Sequence, residues 1–536
     1  MGIPSYLRHV VTKHREILKK LSSVTMDVDC LYLDCNSDIY DALRDIDTKE
    51  KLSDIEFEKR LIKATFKRID GHIKSLNPRK LVYVAFDAVA PIAKLDQQRI
   101  RRVKTAFEKR MLQDLGVDSD TVGWSSANIT PGTRFMNNLT NEAENYFTKS
   151  RYRNIDKVVV SGVNEDGEGE HKLFEWIRYH GKQNNEVHVV KGLDADLIML
   201  SLNHLRYAKN LYLTRETPHF IRSIDKSLEP NETYLLDIPE MAKALTLELN
   251  QGADIVDECQ KQRMYDYIFM CFLLGNDFMP HFPALNIRTD GMERIMSAYK
   301  QTLSKTRGNL TSETGIVWKN VRVMIMILAE QERDFFIKEH STRDKQAKYA
   351  AYGRDGEDNR VTCFTNLPML DRRLETYINP EEKGWEGRYY RALFGIDMTE
   401  ERKRELCVNY LEGLEWTFKY YSTGCQDWRW RYKFDYPPLL SDLSKYVPHF
   451  DTELITPGEN NYPVSRLVQL SYVLPASELS LLPKILHEQL QISHPEWYTQ
   501  PTNFMWAYCK YFWECHPHMS NIDITTLETI VDALPI

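Results

Sequence analysis

Short apolar runs in this chain repeatedly end in acid. CLYLDCN closes on Asp34 and LVYVAFDA on Asp87. KVVVSG leads through a short loop to GEGEHKLFEWIR, which offers Glu168 and Glu170, and VHVVKG leads to LDADLIML, which offers Asp194 and Asp196. Later the apolar stretch YDYIFMCFLLGNDF reads as a helix ending at Asp277. One Asp at a strand end is unremarkable, because Asp commonly caps the following helix. Seven carboxylates gathered at one rim repel one another unless cations neutralise them. Hard divalent ions such as Mg²⁺ take carboxylate oxygens, water and substrate phosphate. Two such ions side by side suit phosphodiester hydrolysis, one at the attacking oxygen and one at the leaving oxygen. Metal-dependent phosphoryl chemistry is the expectation.

Directly after Asp87 comes AVAPIAKLDQQRIRRVKTAFEKR. Lys94, Gln98, Arg101 and Arg102 fall at i, i+4, i+7 and i+8, on one helical face. Many such charged faces serve only solvation. This one follows a candidate metal ligand within a few residues, and Arg and Lys together suit a terminal phosphate, the first by its fork and the second as a point charge. A 5′ phosphate gripped there while metals cleave the next phosphodiester describes an exonuclease.

Positioning these groups requires a scaffold that brings distant strand ends together. Runs at CLYLDCN, KLVYVAFDA, KVVVSGV, VHVVKG and NLYLTRE alternate with helical segments and lack the alternation of half-exposed strands, as buried parallel strands do. The predicted fold is α/β, a doubly wound, mostly parallel sheet with flanking helices and ligands outside the strand C-termini. Residues 1–300 are expected to form this core and residues 301–536 a mainly helical region packed on it, with a loop at KYAAYGRDGEDNR. Hydrophobic residues make up 42% of the chain, which excludes wholesale disorder. The net charge of −7 argues against a general nucleic-acid coat, though not against a local basic pocket. No apolar run is long enough to span a bilayer. Nine scattered cysteines do not form a disulfide framework and favour a reducing compartment. The C-x5-C-H-P-H sequence at Cys509, Cys515, His516 and His518 matches no familiar zinc spacing.

Taken in order, MGIPSY, LYLDCN, AFDAVAPIAKLDQQRIRR, NITPGTRFM, SGVNEDGEGEHKLFEWIR, GLDADLIMLSL and LLGNDFMPHFP resemble the Xrn family of 5′-to-3′ exoribonucleases. In the second half, LCVNYLEGLEWTFKYYSTGCQDWRWRYKFDYPP and LSYVLPASELSLLP extend the likeness over nearly the whole chain. The resemblance implies that Asp34, Asp87, Glu168, Glu170, Asp194, Asp196 and Asp277 hold two Mg²⁺ ions, with Mn²⁺ as a substitute. It implies that Lys94, Gln98, Arg101 and Arg102 form a pocket for a 5′ monophosphate. It further implies processive hydrolysis of single-stranded RNA to nucleoside 5′-monophosphates by a monomer, cytoplasmic or nuclear. Bases near the 5′ end are expected to stack on Tyr40, where family members commonly carry His, and on Trp428 or Trp430, between which the sequence does not choose. Ala88 replaces a usual Gly, and Cys35 and Ser37 depart from the common motif beside Asp34; none removes a charge. The likeness implies a compact form, the catalytic region alone, of the kind expected from a virus or a protist. A flap- or structure-specific nuclease sharing the acidic core, and a catalytically silent RNA-binding scaffold, are the alternatives.

Overall fold

A computed structural model describes residues 6–24, 26–46, 52–116, 124–181, 185–192, 195–216, 228–229, 232–250, 258–306, 308–313, 315–350, 359–395 and 397–535. All five predicted runs are strands: β2 (Cys30–Asp34), β3 (Leu81–Ala85), β4 (Lys157–Ser161), β5 (Val187–Lys191) and β6 (Asn210–Glu216). They are mutually parallel, and the sheet order is β1-β7-β6-β5-β2-β3-β4. The lack of alternation in the central runs follows from burial on both faces. Along β2, Cys30 and Tyr32 join one hydrophobic cluster while Leu31 and Leu33 join another. The chain leaves β2 for β3 and β4 on one side, then returns for β5 and β6 on the other. The gap between the C-terminal ends of β2 and β5 is therefore the topological switch point, where open α/β sheets bind ligands.

Two further strands of this sheet were not foreseen, nor was a small antiparallel pair at Phe504–Met505 and His516–Pro517. β1 (Leu18–Lys20) and β7 (Thr233–Asp237) add an antiparallel edge, β7 against β6 and β1 against β7. The sequence LKK carries no strand pattern of its own; partner strand β7 supplies it.

Two boundaries also differ. The apolar helix stops at Phe272, not at Asp277. Gly275 adopts φ +83°, and a Cβ on it would lie 2.8 Å from the His281 nitrogen, so the backbone turns there. Asn276 then shapes the turn, its Oδ1 accepting from the N–H groups of Phe278 (2.9 Å) and Met279 (3.0 Å). Asp277 thus sits in a fixed loop. Of the expected loop at KYAAYGRDGEDNR, both ends are helical, in Glu332–Ala350 and Asn359–Thr365, and residues 351–358 lie outside the described ones.

The later region is helical and packs straight onto the sheet layer. One cluster runs from Tyr6 through Val190 and Leu197 to Trp416, Phe418 and Tyr508. A second covers the opposite sheet face, and a third joins Val89, Ile92 and Leu95 to Val468, Leu486 and Leu527. Among the described residues no helix is long and apolar enough to cross a membrane.

Candidate functional site

Asp34 is the last residue of β2, and Asp87 follows β3 by two residues. Glu168 is the N-cap of the Gly169–His180 helix and Glu170 lies in its first turn; Asp196 opens the Asp196–His204 helix after β5. Each position follows from a strand ending and a helix beginning at the same rim. Asp194 lies outside the described residues.

These acids converge. Gly169 stands between two of them: a Cβ there would meet Asp34 Oδ1 at 2.9 Å and Asp87 Oδ1 at 3.3 Å. Its N–H donates to Asp87 Oδ1 at 2.7 Å. Ligand atoms of Glu168, Glu170 and His171 lie within 4.8 Å of one another. Burial pushes the Tyr421 hydroxyl well above its ordinary pKa, and the negative charges of Asp196, Glu170, Asp277 and Glu168 push it further. Asp34, Glu168, Glu170 and Asp196 are all buried. A buried set of carboxylate oxygens fits hard divalent cations, for which it supplies both charge and donor type.

Lys94 occupies an unexpected place. It lies in the first turn of the Ile92–Asp114 helix, and its ammonium reaches Glu168 at 2.5 Å and Asp277 at 2.9 Å. Burial alone would lower its pKa, but Asp277, Glu168 and Glu170 raise it well above the usual value. Burial raises Asp277, yet Lys94 holds its carboxyl far below the ordinary range. Lys94 is therefore a counter-ion within the acidic cluster. The rest of the basic face continues outward: Gln98 is half-buried, Arg101 exposed and Arg102 half-buried. Burial lowers the Arg102 pKa; Tyr40 opposes that shift and Arg101 adds to it, which groups the three side chains. The Arg102 Nε has no acceptor among the described residues, and Tyr40 is 36% exposed.

The two tryptophans separate. Trp430 is buried, stacked on Trp416 at 5.2 Å between centroids. Trp416 stacks on Tyr420 at 4.7 Å, and Tyr420 on His171 at 3.7 Å, a ladder of rings that ends at the acids. Trp428 is half-buried, and its carbonyl accepts from the Ile92 N–H at 3.0 Å, at the start of the helix that carries Lys94.

Several supporting residues escaped the sequence reading. Asn36 holds Asp87 twice, its Nδ2 donating to Oδ2 at 2.5 Å and its Oδ1 accepting from the Asp87 N–H at 3.1 Å. Its place two residues after Asp34 was the available signal. Lys172 donates to the carbonyls of Phe86 (2.9 Å) and Gly162 (2.7 Å), tying the ends of β3 and β4 together. Tyr420 donates to Glu168 Oε1 at 2.9 Å from 252 residues away, a pairing no local pattern announces.

Comparison with known proteins agrees with this geometry. Residues 1–217 match the model described as XRN 5'-3' exonuclease N-terminus, and residues 260–372 and 370–495 match the Xrn1 helical domain. The "5'-3' exoribonuclease 2 homolog" of Drosophila melanogaster is 27% identical, across 90% of this chain and 65% of its own length. The "5'-3' exoribonuclease 2" of Gallus gallus is 27% identical across 90% of this chain and 64% of its own. For the "5'-3' exoribonuclease 1" of Saccharomyces cerevisiae the identity is 27%, the share of this chain 90% and of the relative 40%. The chain thus spans 65% or less of the length of these relatives. With both family models matched in order, and the acids of the sheet rim joined to the helical region that completes them, the chain belongs to the Xrn family.

Proposed function

We propose that this protein is a Mg²⁺-dependent exoribonuclease that degrades 5′-monophosphorylated single-stranded RNA from its 5′ end, releasing nucleoside 5′-monophosphates. The observation that carries the reading is the run of groups along one helix. Its first turn brings Lys94 among the acids, and two turns later Arg101 and Arg102 stand beside exposed Tyr40. A strand whose 5′ phosphate meets Arg101 and Arg102 lays its first phosphodiester toward the acids.

Asp34, Asp87, Glu168, Glu170, Asp196 and Asp277, with Asp194 from the same segment, would hold two divalent cations. Such cations supply charge neutralisation of the scissile phosphate and of the attacking and leaving oxygens. Mn²⁺ suits the same oxygen donors. The chain's own residues do the rest. Gly169 and Asn36 fix the Asp87 carboxylate, and Tyr420 fixes Glu168. Tyr40 and half-exposed Trp428 offer ring faces for the leading bases, and buried Trp430 serves as packing. Division at about residue 300 into a nuclease core and a helical region that shapes the channel is part of the same reading, as are a monomeric state and a cytoplasmic or nuclear site of action.

The test is a two-by-two comparison of wild type and Arg101→Ala on 5′-phosphate and 5′-hydroxyl RNA of one sequence. Loss of a charge-assisted bond worth about 1–3 kcal/mol should lower kcat/KM ~10-fold or more on the phosphorylated RNA. The loss should shrink on the 5′-hydroxyl RNA, and circular RNA should be spared. Equal losses on both linear substrates overturn the phosphate assignment.

A further inference from the structure

The opposite end of the sheet carries a second set of metal-ligating side chains. Cys30 opens β2 and His188 is its direct partner in β5. In a parallel pair such partners project from the same face, and so do residues two positions away on either strand. Tyr32 and Glu186 therefore join Cys30 and His188 in one patch. Ligand atoms of Cys30, Glu186 and His188 lie within 4.8 Å of one another.

The hydrogen bonds leave this patch incomplete. His188 is 2% exposed. Its Nδ1 lies 3.1 Å from the Tyr32 hydroxyl. That bond engages one ring nitrogen of His188 and leaves the other, Nε2, to find a partner elsewhere. Nε2 has no hydrogen-bond partner among the described residues. Glu186 Oε2 is 4.0 Å away, too far for a hydrogen bond. A buried, unpartnered imidazole nitrogen in one cluster with a carboxylate and a thiol offers its donors to a cation. The other Glu186 oxygen is held by Lys80 at 2.7 Å. Asp29, with its Oδ1 3.6 Å from Lys80 and 3.5 Å from Arg79, offsets those two positive charges.

We propose that Cys30, His188 and Glu186 bind one Zn²⁺ ion, with water as the fourth ligand, which pins the start of β2 to the start of β5. Zinc takes S, N and O donors tetrahedrally, with edges of roughly 3.4–3.7 Å from its bond lengths, so the three groups close in by about an ångström. Tyr32 supplies the outer bond that orients a ligating histidine. On binding, the Cys30 proton passes to solvent and the thiolate bonds the metal. This site stands apart from the nuclease acids at the other end of the strands and does not rest on the proposed reaction.

The experiment uses chelator-treated, desalted full chain, titrated with Co²⁺ in excess Mg²⁺ so that the carboxylate site is filled. One equivalent should produce near-ultraviolet thiolate-to-cobalt absorption, which Zn²⁺ then abolishes. Cys30→Ser should remove the band, and His188→Gln should weaken Co²⁺ binding at least ~10-fold. Glu186→Gln, at a partly exposed position, keeps the test open if the core variants fail to fold, and it should weaken binding ~5-fold or more. Absence of the band in wild type overturns the proposal, as does its persistence in folded Cys30→Ser or unchanged affinity in Glu186→Gln.

Discussion

Adding one methyl group at Gly169 separates the geometry of the acids from the stability of the fold. The residue opens a helix, where Ala is intrinsically better than Gly by up to about 1 kcal/mol, and its φ is not in the left-handed region. Stability should therefore change by less than about 1 kcal/mol, a small shift of Tm for a chain this long. The new Cβ would stand 2.9 Å from Asp34 Oδ1 and 3.3 Å from Asp87 Oδ1. Ordinary contact needs roughly 3.5 Å, so one or both carboxylates must move by a few tenths of an ångström. Displacements on this scale at a reacting centre cost up to about 100-fold, and loosened cation ligands add to the loss. Gly169→Ala should lower kcat/KM on 3′-labelled, 5′-monophosphorylated RNA by about 10–100-fold and raise the Mg²⁺ concentration for half-maximal rate, with only that small shift of the melting curve. Gly71→Ala is the control, since a Cβ there meets nothing within 4 Å. Wild-type turnover by a folded Gly169→Ala protein would refute the convergence of Asp34 and Asp87 on the reacting phosphate.

Three further outcomes follow from individual contacts. Tyr420→Phe removes the donor to Glu168 Oε1 and should weaken Mg²⁺ activation ~10-fold, as loss of an outer-shell partner does; Mg²⁺ titration of the rate checks it. Trp428→Ala should raise KM for RNA with little change in Tm, whereas Trp430→Ala, deep in the ring ladder, should destabilise by about 3–5 kcal/mol; denaturant melts and steady-state kinetics distinguish them. Burial pushes the Glu332 carboxyl up to about 7, against the N–H groups of Leu440 and Ser441 that favour its charged form. The folded chain then keeps a proton that the unfolded chain releases near pH 4.5, so this group makes stability fall as pH rises from about 4.5 to 7, by roughly 3 kcal/mol at most. Denaturant melts across that window should show a shallower slope in Glu332→Gln.

Strand cores and the acids at their ends were legible because both express the same constraint. A strand buried on two faces must be apolar throughout, so its first charged residue marks the rim. Asp34 and Asp87 stood out for that reason. Lys94 shows the limit. Helical periodicity placed it on a face with Arg101 and Arg102 but carried no information about how far along the helix that face leaves the acids. The helix begins at Ile92, so Lys94 points back at the strand ends while Arg101 reaches solvent. The choice between Trp428 and Trp430 was closed to sequence because both lie in one aromatic segment. Only the stacking of Trp430 on Trp416 separates them. Strand β1 was hidden for a similar reason, since its pairing partner lies more than two hundred residues away.

The bond from Tyr420 to Glu168 also bears on when the protein acquires its chemistry during synthesis. The first acid, Asp34, leaves the ribosome 386 residues ahead of Tyr420. At roughly 5–20 residues per second, that interval lasts on the order of 20–80 s. Throughout it the sheet rim lacks the aromatic helix that seats Glu168 and covers the acids. A nascent chain that has not reached Tyr420 thus carries its acids without their aromatic partner, and the order of translation delays the assembled site until that helix has emerged.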